Sequence, residues 1–391
     1  MATDPLVRIP VPSGPAGLDA LAEPLRAALS GTGPAIAPIP VVTATTSDAY
    51  VRSLLRATAP DEPLEDDRTA VVLATSGSTG NPKGVLLSAD GLLSLNPWRD
   101  DPGTWVAAIP LTSAGGLNVL TRALAPGCSY VGVDSLAGAR PFTPAGFAAA
   151  TTTAVTHGLP LRTSLVPAQV RRLLADAQGV EALQACTTIL VGGAGLDAQL
   201  RDAAAVHGIS LISTYGMTET CGGCVYDGTP LEGVTVHIDS ASRVTLGGPS
   251  IALGYRHQPA LTAAHFTDDG FLTSDLGEVR NGTLRILGRV DDVVTVNGVN
   301  VSVTAIEALL RTGTNVSDCA VIALDDPERG SRLIAFICGA VIDSEALGDL
   351  VTQRLGAAAR PRAFTTIEQL PTLPGGKTDR QALIALALET H

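Results

Sequence analysis

Short apolar runs, none long enough to cross a bilayer, set the terms for this chain. They read "TAVVLA" (69–74), "TWVAAIP" (104–110), "SYVGVD" (129–134), "TTILVGG" (187–193) and "ISLIST" (209–214). Runs of this length bounded by Gly and Pro suit buried strands, whereas a membrane helix needs ~18–20 apolar residues. Between them lie stretches with helical spacing, such as "VPAQVRRLLADA" and "LDAQLRDAAAVHG". Strands alternating with helices predict an α/β architecture. From about 234 to 288 the pattern changes to short alternating strands with Gly turns, which predicts a β subdomain. Beyond "GRVDDVV" (288–294) follows a βαββαβ-like unit, with helices at "SVTAIEALLRT" and near 343–355 and strands at "CAVIALDD", "RLIAFICGA" and "AFTTIEQL". At 391 residues the chain exceeds one compact core. We expect a large N-terminal domain of β-sheets flanked by helices plus a β subdomain, at 1–288, and a small mobile α+β domain at 289–391.

Charge narrows the partners. A formal net charge of −12 argues against a nucleic-acid or anionic-membrane surface and restricts any polyanion to a local cluster of positive groups. The first residues lack a basic stretch followed by an apolar run, so no signal peptide and a cytoplasmic location are expected. Six scattered Cys fit reduced thiols. The one close pair, Cys221 and Cys224, has no second pair or nearby His to complete a metal site, so it is read as structural. Composition leaves a homodimer open. Of 26 Lys plus Arg only Lys83 and Lys377 are lysine, and both lie in Gly-rich, Pro-containing loops.

The first of these loops is "TSGSTGNPKG" (75–84). "TAVVLA" enters it as a strand, "GVLLS" leaves it as another, and Ser88 or Asp90 caps the next helix. A P-loop needs G-x-x-x-x-G-K-[ST]. Lys83 breaks that spacing, and "GGKT" (375–378) has Pro371 where the earlier glycine belongs, so a P-loop NTPase is excluded. The loop still suits a polyphosphate: Gly77, Gly80 and Gly84 admit close backbone approach, Ser76, Ser78 and Thr79 bring hydroxyls, and Lys83 brings charge.

Four further segments follow in order: "STYGMTET" (213–220), "TSDLGE" (273–278), "GRVDDVV" (288–294) and "LPTLPGGKTDR" (370–380). With the phosphate loop, they make the chain similar to the adenylate-forming superfamily of acyl-CoA synthetases, adenylation domains and luciferases, from about residue 70 onward. The resemblance implies an ATP site in which Thr75, Ser76, Gly77, Ser78, Thr79, Gly80 and Lys83 hold phosphates. Tyr215 would stack on adenine against the backbone of Gly192, Gly193 and Ala194, within a segment that includes Thr214, Gly216 and Met217. Asp275 would accept from the ribose hydroxyls, and Arg289 would reach ribose or phosphate. Glu219, a hard oxygen ligand, would take Mg2+, and Thr218 would donate to the α-phosphate. Asp291 resembles the pivot of the small domain. Lys377 would bridge the acid carboxylate and the α-phosphate, a kind of positioned charge that commonly supplies several kcal/mol. Rotation of the small domain would then bring Asn297 and Gly298 toward coenzyme A.

The early phosphate loop, the opening "GPAGLDALAEPLRAALSGTGPAIAPIP" and "YGMTETCGGCVYDG" resemble the o-succinylbenzoate–CoA ligases of high-GC bacteria, which act in menaquinone synthesis. The implied substrates are ATP, CoA and an aromatic carboxylic acid. Ser113 stands where many relatives have a pocket His; with Gly116 and Ser164 it would line the acid pocket, and Arg162 is a candidate partner for a second carboxylate. The competing expectations are a CoA ligase for another aryl or acyl acid, an enzyme loading a carrier protein, and a non-catalytic nucleotide-binding relative. No carrier domain follows in this sequence, and Lys377, Glu219 and Asp275 are all present.

Overall fold

The structure is a computed structural model that describes residues 6–43, 46–60, 62–75, 82–138, 140–290, 292–326, 329–372 and 378–390. A seven-stranded mixed sheet runs in spatial order Thr229–Pro230, Gly222–Tyr226, Ile212–Met217, Thr188–Val191, Leu161–Leu165, Thr104–Ala107, Ser129–Gly132. The last five of these are parallel, a pairing that demands long crossovers. Helices supply them: Ala114–Ala123, Pro144–Val155, Pro167–Leu174 and Ala198–Val206. Each begins at a residue able to start a helix. Ser113, Thr143 and Asp197 accept from a backbone N–H of the first turn, and Pro167 opens its helix at a position where its missing N–H costs nothing.

A second sheet orders Val7–Val11, Ile36–Pro40, Thr69–Thr75, Lys83–Ser88 and Gly254–Tyr255. A third, built from Thr235–Ile238, Arg243–Gly247, Phe266–Thr267, Gly270–Arg280 and Thr283–Arg289, matches the expected β subdomain. The three sheets share one apolar core that includes Leu73, Val85, Trp105, Leu165, Leu190, Leu246 and Phe271.

The C-terminal sheet joins Val293–Val296, Val299–Ser302, Val316–Asp326, Gly330–Gly339 and Ala363–Thr366. Its strand Gly330–Gly339 alternates two buried sets. Leu333, Ala335 and Ile337 pack with Ile306 and Val351, while Ile334, Phe336 and Cys338 pack with Leu383 and Ala387. Period-two alternation with apolar residues on both faces is what a covered strand requires. The molecule is thus mixed α/β, with a large sheet-rich N-terminal part and a smaller C-terminal one.

Elements that the sequence did not point to include the helices Ala16–Leu29, Asp48–Thr58 and Arg380–Thr390, the strands Val7–Val11, Ile36–Pro40 and Leu161–Leu165, and the hairpin around Asn297.

Candidate active site

In open α/β sheets, ligands sit beyond the carboxyl ends of the parallel strands. Val191 ends one such strand and leads into Gly192; Met217 ends its neighbour and leads into Thr218. Gly192 lies so near the adjacent strand that a Cβ there would come 2.4 Å from Thr214 Oγ1, and Gly193 has φ +79°. Thr214 Oγ1 donates to Val191 O at 3.2 Å. The Gly192–Ala194 backbone therefore rests on the residue preceding Tyr215. Gly216 has its own steric need, since a Cβ would come 2.1 Å from Gly222 O. The turn Thr218–Thr220 is fixed by the Thr220 hydroxyl, which accepts from Met217 N at 2.9 Å and donates to Gly222 O at 2.8 Å.

Tyr215 Oη donates to Asp275 Oδ2 at 2.6 Å, and Arg289 Nη1 donates to Asp275 Oδ1 at 3.2 Å. Asp275 is only 5% exposed, and its N–H is held by Thr273 Oγ1 at 3.0 Å. Arg289 is its cross-strand partner, so register alone brings the pair together. Burial, then the Asp275 charge, pushes the Tyr215 hydroxyl well above its ordinary range. Three residues assigned to adenine and ribose thus form one contact cluster.

Glu219 and Lys83 are connected through Tyr255, a residue the sequence reading did not select. Tyr255 Oη donates to Glu219 Oε1 at 2.9 Å, and the Lys83 ammonium lies 5.4 Å from the centre of the Tyr255 ring. Lys83 faces Thr75 across the strands flanking the phosphate loop. Strand–loop–strand is the arrangement here, not the strand–loop–helix of a P-loop. Among the described residues no three or more His, Cys, Asp or Glu converge on a metal position. Mg2+ is commonly held by one or two carboxylates plus substrate phosphates, and the half-buried Glu219 carboxylate is of the hard-oxygen type that could hold it.

On the acid side, Ser113 Oγ donates to Pro110 O at 2.7 Å and accepts from Gly116 N at 3.3 Å, so it caps Ala114–Ala123. Gly116 is required by packing, since a Cβ would come 2.2 Å from Pro110 O. Ser164 pairs with Ala107 near the carboxyl ends of their strands. All three are thus grouped at this end of the sheet.

One expectation is corrected. Arg162 lies at the opposite, amino-terminal part of its strand; its guanidinium is buried and donates to the backbone and carboxylate of Asp101. It is neither a pocket residue nor a solvated charge. Gly84 has a packing requirement of its own, because a Cβ there would come 2.2 Å from Ala57 O. The reading of Cys221 and Cys224 as structural matches two buried free thiols. Burial above all pushes them up, to about 12 and about 11 respectively.

Ser76, Gly77, Ser78, Thr79, Gly80, Asp291 and Lys377 lie outside the described residues. Near Lys377, Thr372 bridges to Thr378 and Asp379 N donates to Pro371 O at 2.8 Å. Arg380 is tied to Glu307 Oε1 at 2.9 Å and Val321 O at 2.7 Å. Asn297 and Gly298, both at positive φ, form an exposed two-residue hairpin turn.

The AMP-binding enzyme family matches residues 20–252, and its C-terminal domain matches 305–377. The chain belongs to the AMP-binding enzyme family. It is an adenylate-forming enzyme, as its ordered motifs imply. The "Probable 2-succinylbenzoate--CoA ligase" of Mycobacterium tuberculosis (strain H37Rv) is 37% identical, over 96% of each chain. The 2-succinylbenzoate–CoA ligase of Listeria innocua is 28% identical, over 81% of this chain and 70% of its own. The fold of this AMP-binding enzyme also matches the solved o-succinylbenzoate CoA synthetase of Bacillus subtilis in complex with its acyl-adenylate intermediate. The TM-score is 0.72, at 20% identity, over 97% of this chain and 88% of that one. Among the described residues no helix is long and apolar enough to cross a membrane.

Proposed function

We propose that the chain is an o-succinylbenzoate–CoA ligase of menaquinone synthesis, working through an acyl-adenylate. The acid carboxylate attacks the α-phosphorus of ATP and pyrophosphate departs; the thiol of CoA then attacks the acyl carbon and AMP departs. The observation that carries the reading is the Tyr215–Asp275–Arg289 cluster, one residue along the strand from Thr214, which packs against Gly192. It offers a ring, a carboxylate and a guanidinium where a nucleoside would lie, in a chain 37% identical to a 2-succinylbenzoate–CoA ligase over 96% of each.

Within this reading Asp275 accepts from the ribose, Tyr215 faces adenine and Thr218 donates to the α-phosphate. Lys83 and the hydroxyls of residues 75–79 hold the outer phosphates. Glu219 is the residue that would hold Mg2+, which when bound neutralises phosphate charge. Lys377 contributes the positive charge that stabilises the developing transition state. Residues 1–288 and 289–391 form the two moving parts, with Asp291 as pivot, and Asn297 and Gly298 approach CoA in the second half-reaction. Ser113, Gly116 and Ser164 line the acid pocket. Six free cysteines suit a reducing cytoplasm.

The test is thioester formation from ATP and CoA with o-succinylbenzoate, beside benzoate, a fatty acid and an amino acid. Turnover with o-succinylbenzoate well above the others is expected. Turnover of another acid with none for o-succinylbenzoate would overturn the substrate assignment. Light scattering on the purified chain decides between monomer and homodimer.

A further inference from the structure

Tyr255 is held more firmly than a residue on a two-residue strand needs to be. Its strand, Gly254–Tyr255, pairs antiparallel with Lys83–Ser88, with Tyr255 opposite Val85 and Arg256 N donating to Gly84 O at 2.8 Å. The next residue, Arg256, has a side chain with 0% exposure. Its guanidinium donates to Thr58 O, Ala59 O and Glu62 O, each at 2.7 Å, to Pro63 O at 2.9 Å and to Glu65 Oε2 at 2.7 Å. On the other side, Tyr255 N donates to Thr262 Oγ1 at 2.9 Å. The Tyr255 ring meets Phe266 edge-on at 5.3 Å and His265 at 6.4 Å. Backbone, neighbour and ring are all fixed, so the phenol has one direction to point, and it points at Glu219.

We propose that Tyr255 is a positioning residue for the nucleotide phosphates, setting the Glu219 carboxylate with its hydroxyl and the Lys83 ammonium with its ring face. Partners behind a metal-binding carboxylate orient it, and their loss typically weakens metal affinity 10–100-fold. A cation over an aromatic face is held electrostatically without consuming its N–H donors, which leaves Lys83 able to donate to phosphate oxygens. The proposal rests on the reading of Glu219 and Lys83 given above.

The test is calorimetric binding of ATP to the full-length protein, in EDTA and in excess Mg2+. Tyr255→Phe keeps the ring and removes the hydroxyl; ATP affinity in EDTA should stay within about twofold of wild type, while the gain from Mg2+ should shrink about tenfold. Tyr255→Leu should also weaken binding in EDTA, because the Lys83 contact is lost. Glu219→Gln should reduce the gain from Mg2+, and adding Tyr255→Phe to it should cost little more, as coupled residues require. A wild-type-like gain in Tyr255→Phe, or equal losses with and without Mg2+, would overturn the proposal. If the wild type gains nothing from Mg2+ and Glu219→Gln changes nothing, the underlying reading of Glu219 falls instead, and the proposal with it.

Discussion

The hydroxyl of Tyr215 donates to the carboxylate of Asp275 at 2.6 Å, although the two residues are 60 positions apart and belong to different sheets. The contact joins the seven-stranded sheet to the β subdomain. Arg289 holds the other carboxylate oxygen, so Asp275 enters the site already aligned.

Asp275→Asn keeps the shape and removes the charge that faces Arg289 and that, in the proposed function, would face the ribose. Hydrogen bonds to a charged acceptor are roughly twice as strong as neutral ones, so AMP and ATP affinity should fall about tenfold. Calorimetry with either nucleotide checks this.

Lys377→Ala should abolish acyl-adenylate formation, measured by pyrophosphate release, yet leave thioester formation from supplied acyl-adenylate nearly intact. A variant equally slow in both half-reactions would argue against two working conformations.

Arg162→Met tests the correction made above. Losing the buried guanidinium's hydrogen bonds to Asp101, with packing partly kept, should lower stability by about 2 kcal/mol. Denaturant melts should report that loss, while the KM for the acid should stay unchanged, because Arg162 lies away from the pocket end of its strand.

Alkali should destabilise the fold through its buried thiols. Burial pushes Cys186, Cys221 and Cys319 up to about 12 and Cys224 to about 11, from 9.0. Between those limits an unfolded chain releases thiol protons that the native chain keeps, so stability is full below about pH 9 and falls as pH rises toward 12. Melting temperatures under reducing conditions should trace that decline. Cys186→Ala combined with Cys221→Ala should flatten it.

Much of the site was legible because its residues sit on loops with strong local signals. Gly192 and Gly193 follow an obvious apolar strand, and the phosphate loop is bracketed by two. The Asn297–Gly298 turn is an equally strong hairpin signal, although the resemblance pointed to the pair only as neighbours of coenzyme A. Other features were hidden for physical reasons. The strand Ile36–Pro40 contains two prolines, which remove ladder donors; it meets Thr69–Thr75 through the single pair Ile36↔Val71 and is held mainly by Val7–Val11, itself far from any strong signal. Leu161–Leu165 reads "LRTSL", polar by composition, and is a buried strand only because tertiary partners satisfy Arg162 and Thr163. Tyr255 was invisible because its meaning lies in contacts with Glu219, 36 residues earlier, and with Lys83 across a strand pair.

The strand Gly330–Gly339 carries apolar layers against both its faces. In the proposed rotation about Asp291, a block built this way would carry its own apolar interior with it.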